Sequence, residues 1–125
     1  MDRTAEDLKD RTKRFALGVL EFAETLPRSP ATEGLIRQLT RFGVGVAGNY
    51  RSACRARSHL EFTSRLGVVM EEADESELWL DVCHTKKLGD EKQRRSETSH
   101  VRAFRSYDLA LDVVFADQPG SALLQ

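Results

Sequence analysis

Two carboxylate–histidine pairs stand three residues apart, Asp81 with His84 and Glu97 with His100. On a helix that spacing brings both side chains to one face. Di-iron bundles use two Glu-x-x-His pairs together with two further glutamates. Here one pair starts from aspartate, and both lie in polar stretches near expected helix ends. Glu24 and Glu33 supply further ligands only if the loops happen to bring them near. A metal-dependent bundle enzyme is therefore the weakest of three readings, and no residue is assigned to catalysis, to a metal or to a cofactor. His84 is better suited to the last carbonyls of its own helix. A thiol nucleophile fares no better. Cys83 adjoins His84, but side chains at i and i+1 of a helix point apart, and His59 follows Cys54 only beyond a helix end.

Arginines offer more. From Gly34 to Leu60 the chain carries Arg37, Arg41, Arg51, Arg55 and Arg57 and no carboxylate, a charge of +5. From Glu61 to Asp81 it carries seven carboxylates against Arg65, a charge of −6. At 100° per residue, Arg37, Arg41, Arg51 and Arg55 fall within an arc of about 80°, with Val44 and Gly48 between them. That arc lies opposite Leu39, Val46 and Ala53. Arginine forks suit carboxylates and phosphates alike, so the stripe is a subunit contact, a plain solvated face or, with Arg57 added, a site for nucleic-acid phosphates. No aromatic platform of the kind that stacks bases is interleaved with it.

The next acidic stretch has a second peculiarity. Val68, Leu78, Trp79 and Val82 lie opposite Phe62, Leu66, Val69 and Leu80. A helix that is apolar on two faces is buried on two sides.

The elements that position these residues are helices. Leu8, Phe15, Val19, Phe22 and Leu26 recur at helical spacing and predict a first helix from about Thr4 to Leu26, ended by Pro27-Arg28-Ser29-Pro30. Leu35, Leu39, Phe42, Val46, Tyr50 and Ala53 predict a second from about Thr32 to Ala56. It holds Gly43, Gly45 and Gly48, each costing up to about 1 kcal/mol against alanine, which implies close approach of another chain segment. Ser58 and Glu61 form a capping box ahead of Phe62. They open a third helix that runs to about Lys87 with Phe62, Leu66, Val69, Ala73, Ser76 and Leu80 inside. Leu88-Gly89-Asp90 is a stop. Glu91 to Ser99 is polar and weakly patterned, and a fourth helix is expected after it, to about Ala116, on Val101, Phe104, Leu111, Val114 and Phe115. The remainder is a frayed tail from about residue 117.

The expected fold is all-α: residues 1–125 as one antiparallel up-down-up-down four-helix bundle. The 125 residues, 40% apolar and 31% charged, suit one domain with one core and a solvated surface. Net charge is −1, so no global attraction to nucleic acid follows. No apolar run approaches the roughly 20 residues of a membrane span, and the N-terminal residues lack the apolar core of a signal peptide. A cytoplasmic location is expected, with Cys54 and Cys83 as reduced, partly buried thiols some tens of ångströms apart.

The middle of the chain carries a resemblance. Asn49-Tyr50-Arg51, Arg55-Ala56-Arg57-Ser58, Glu61-Phe62 and Glu72-Ala73-Asp74-Glu75-Ser76-Glu77-Leu78-Trp79-Leu80 follow in the order and spacing of the ribosomal-RNA intervening-sequence proteins, often called simply four helix bundle proteins. Together these motifs resemble that family. Ser52 stands where the family often has an acidic residue, and Leu78 where it often has tyrosine. The resemblance implies a four-helix bundle assembling as a homopentameric ring without enzymatic activity. The residues themselves identify no cofactor and no small-molecule substrate.

The residues and the resemblance together favour a ring-forming scaffold whose partner is a copy of itself. Its expected interface comprises Arg37, Arg41, Gly45, Gly48, Arg51 and Arg55 on the second helix, and Glu71, Glu75, Leu78, Trp79 and Val82 on the third. The alternative is an accessory protein binding RNA or DNA through Arg37, Arg41, Arg51, Arg55 and Arg57.

Overall fold

The computed structural model describes residues 5–105. They form four helices: α1 (Ala5–Glu24), α2 (Pro30–Ala53), α3 (His59–Lys86) and α4 (Glu91–Phe104). The helices pack as the expected antiparallel bundle, each on its neighbour in sequence, with α4 closing back on α1. The inner stripes read from the sequence are the core. Leu8, Phe15, Val19, Phe22, Leu26, Leu39, Val46, Tyr50, Ala53, Phe62, Leu66, Val69, Ala73 and Leu80 are all buried, and Phe104 meets Phe15 edge to face at 5.4 Å. Leu35 is only half-buried against this core, and Phe42, also expected inside, is half-buried outside it with Arg41 over its ring.

Helix starts follow local hydrogen-bond chemistry. Ser29 caps α2: its hydroxyl accepts from Thr32 N at 3.2 Å, while the Thr32 hydroxyl accepts from Ser29 N at 2.8 Å. Pro30 therefore occupies the first helical turn, where its missing N–H costs nothing, and α2 begins earlier than the expected Thr32. Ser58 caps α3 through Glu61 N at 3.0 Å. The Glu61 carboxylate does not close the box on Ser58 N. It reaches one residue further and accepts from Arg57 N at 2.9 Å, and this bond, aided by Arg65, holds its pKa below the ordinary carboxylate value.

The fourth helix departs from expectation. It begins at Glu91, capped by Asp90 Oδ1 accepting from Gln93 N at 2.8 Å, so the polar stretch 91–99 is helical. Its inward face is Arg94, Glu97, Val101 and Phe104. The first two are charged, so the apolar period is invisible there. Leu111, Val114 and Phe115, and the expected end at residues 117–120, lie outside the described residues.

Close packing explains two of the α2 glycines. A Cβ on Gly43 would stand 2.8 Å from Cγ1 of Val19, and one on Gly45 would strike the Glu72 carboxylate. Gly48 faces open space. The α3–α4 turn carries two left-handed residues, Lys87 at φ 55° and Gly89 at φ 79°. It is tied to the end of α1 by Asp90 N donating to Thr25 Oγ1 at 2.9 Å.

Candidate interaction surfaces

The outward arc of α2 is as the helical angles require: Arg37, Arg41, Val44, Gly48, Arg51 and Arg55 are all exposed, and so is Arg57 in the following link. Arg41 lies over the Phe42 ring at 5.4 Å. Among the described residues none of the five arginines forms an ion pair within the chain. The inward side of the same helix is cross-linked to α3. Asn49 donates to the Glu72 carboxylate, and Arg65 donates to Ser52 O at 3.0 Å and to Ser52 Oγ at 2.6 Å. Burial raises the Glu72 pKa, and Arg41 partly opposes that rise. Motif residues Asn49, Ser52 and Glu72 are thus spent on joining two helices of one molecule. Gly45 belongs to this internal seam, half-buried beside Glu72.

The acidic face of α3 divides. Glu77 takes Arg102 Nε at 2.7 Å and also Arg105, which reaches Asp74 at 3.1 Å. Part of the charge asymmetry seen in the sequence is therefore neutralised by α4 of the same chain. Glu71 and Glu75 keep no ion pair among the described residues. They share the outer side of α3 with Val68 and Leu78, exposed at 43% and 49%. Val82 is half-buried. Trp79 is half-buried against the core, and its Nε1 is buried without a hydrogen-bond partner.

The carboxylate–histidine pairs separate in space. Asp81 and His84 border the α3–α4 groove. Glu97 is 3% exposed and sits where Gly18 of α1 leaves room for its carboxylate. It accepts from Gln93 Nε2 at 2.7 Å and lies 3.3 Å from His100 Nδ1. Among the described residues no group of three or more His, Cys, Asp or Glu gathers as a metal-ligand set. Cys54 and Cys83 are free thiols, and burial pushes Cys83 up to about 11 against the pull of Arg94. No described helix is long and apolar enough to cross a membrane.

The chain is similar in structure to a protein from Bacteroides thetaiotaomicron, described as of unknown function and from the S23 ribosomal protein family. The TM-score is 0.77 at 22% identity, over 88% of this chain and 96% of the other. At that identity the likeness establishes the shared bundle fold. No family model matches the sequence, and no curated protein matches it.

Two features were not readable as sites from the sequence. One is the pair of α2–α3 cross-links, which depends on the rotation of each helix. The other is Arg94, whose position in a polar stretch gave no sign of burial.

Proposed function

We propose that the protein is a non-enzymatic scaffold that assembles with copies of itself, α2 of one subunit lying against α3 of the next. The observation that carries this is the unpaired charge. The α2 arc presents exposed arginines around Val44 and Gly48, and the outer side of α3 presents Glu71 and Glu75 around Leu78 and Val68. Each face opposes like charges if it meets itself, whereas one meets the other with opposite charge. Such a head-to-tail contact closes into a ring where the rotation permits, and a pentamer is the form that the family resemblance favours. Leu78, with Trp79 and Val82 beside it, supplies apolar burial, and the ion pairs set register more than affinity.

Native mass spectrometry tests this. Arg51→Glu is expected to reduce the assembly to monomers, and Glu75→Arg added to it to restore part of the ring. An unchanged mass for Arg51→Glu removes the reading.

The same unpaired arginines support a second reading, in which Arg37, Arg41, Arg51, Arg55 and Arg57 bind nucleic-acid phosphates. Binding would then fall steeply with salt and without sequence preference. Absence of RNA or DNA binding at low salt removes it.

A further inference from the structure

Leu17 and Leu20 of α1 are exposed at 49% and 39%. With Lys13 and Glu24, both exposed, they form one outward row spaced four, three and four residues apart. That is the spacing of a coiled-coil seam, and the row covers roughly 16 Å of helix. It is apolar at its centre, basic at one end and acidic at the other. Elsewhere on α1 the charges pair locally. Glu6 holds Lys9 at 3.0 Å, Asp10 holds Arg14 at 2.6 Å, and Asp7 lies 3.9 Å from Arg11. Lys13 and Glu24 form no ion pair among the described residues. The nearest opposite charges are engaged, Asp10 by Arg14 and Arg28 by Glu33. Lys13 and Glu24 stand too far apart along one rigid helix to meet each other.

Turned end for end, this row matches itself. A two-fold axis midway between Leu17 and Leu20 sets each of these leucines against the other in a second copy. The same axis sets Lys13 against the partner's Glu24 at both ends of the seam. On the flank, Glu21 comes within one turn of the partner's Arg14. A parallel alignment would instead oppose lysine to lysine and glutamate to glutamate, so charge selects the antiparallel one. The outer faces of α2 and α3 lack this property, since each repels itself.

We propose that the outward row of α1 is a two-fold docking seam for a second copy of this chain, Leu17 packing on the partner's Leu20 and Lys13 pairing with the partner's Glu24. A row of four residues per copy is far smaller than a stable dimer interface. The contact is therefore transient, absent at the dilution of a native mass measurement and populated as concentration rises. It leaves α2 and α3 free and does not rest on the ring contact between them.

Zero-length carbodiimide coupling of the full chain, with peptide mass spectrometry of the products, tests the seam. An equal mixture of unlabelled and heavy-nitrogen protein marks the links formed between copies. An amide between Lys13 of one copy and Glu24 of the other is expected, with a yield that grows with protein concentration. Leu17→Ser, at a half-exposed position that the fold tolerates, takes one leucine from each side of the seam and should cut that yield by about tenfold. Lys13→Glu combined with Glu24→Lys exchanges the two ends and should restore the link with the roles reversed. No Lys13–Glu24 link between copies, an equal yield in Leu17→Ser, or no link in the exchanged variant each overturns the proposal. Links from Lys13 to Glu71 or Glu75 in its place would seat the row on α3 of another copy, and overturn it as well.

Discussion

The three glycines of α2 occupy one helix but three environments, so alanine at each should give three different outcomes. At Gly48 a Cβ meets nothing within 4 Å, and only helix propensity acts. Gly48→Ala should gain up to about 1 kcal/mol. At Gly43 the new methyl stands 2.8–3.0 Å from three atoms of Val19, a fully buried and rotationally stiff side chain. Overpacking of that kind costs about 1–3 kcal/mol, which outweighs the propensity gain. At Gly45 the obstacle is the mobile end of Glu72. The carboxylate must swing away and release Asn49, at about 1.5–3 kcal/mol for a charged hydrogen bond, less what water restores. Thermal unfolding resolves these values, since 1 kcal/mol moves the midpoint by about 4 °C or more in a domain of this size. The discriminating measurement is a cycle with Glu72→Ala. In that background Gly45→Ala should become neutral or stabilising, while Gly43→Ala should cost as much as before. A Gly45→Ala penalty undiminished by removal of Glu72 would refute the account, as would a loss of stability for Gly48→Ala.

Two further outcomes follow from single side chains. Ser58→Ala removes the α3 cap and should cost about 0.5–2 kcal/mol; an unchanged urea midpoint would mean that the helix is started by something else. Glu72→Gln retains an oxygen for Asn49 while removing a carboxylate whose pKa is raised in the fold. A raised carboxyl stabilises the fold below the unfolded value of about 4.5, and that contribution is lost as pH climbs through the folded value. The variant should therefore lose less stability than wild type on going from pH 4 to neutrality, and parallel urea midpoints across that range would contradict the burial of this group.

The inner faces of α1, α2 and α3 are legible in the sequence because Phe15, Val19, Phe22, Leu39, Val46, Leu66 and Leu80 keep the helical period apolar, with Thr12 and Ser76 as small buried exceptions. The first half of α4 is not legible, because that period is carried by Arg94 and Glu97, residues ordinarily assigned to the surface. Glu97 is tolerated inside by Gln93 on its own helix and by the space above Gly18, a match across 79 residues that no local pattern encodes. The Ser29–Thr32 cap escapes because threonine replaces the usual glutamate or glutamine at the third helical position. For the candidate surfaces, helical angles place the arginine arc outside correctly. They do not reveal that Asp74 and Glu77 are claimed by Arg102 and Arg105, because that depends on where α4 begins. They place Gly45 with the outer arc, whereas the chain uses it against Glu72.

The α3–α4 turn sets unequal limits on how this sequence can drift. Position 89 admits only glycine, both for its backbone conformation and because any Cβ would stand 2.7 Å from the Phe22 ring. Position 87 has the same left-handed backbone but already holds a side chain, that of Lys87, so glycine or asparagine would occupy it at lower conformational cost. Natural variation at 87 is therefore open toward smaller residues, whereas at 89 it is closed. A long cationic side chain at 87 therefore forgoes roughly 1 kcal/mol of backbone stability that glycine would supply.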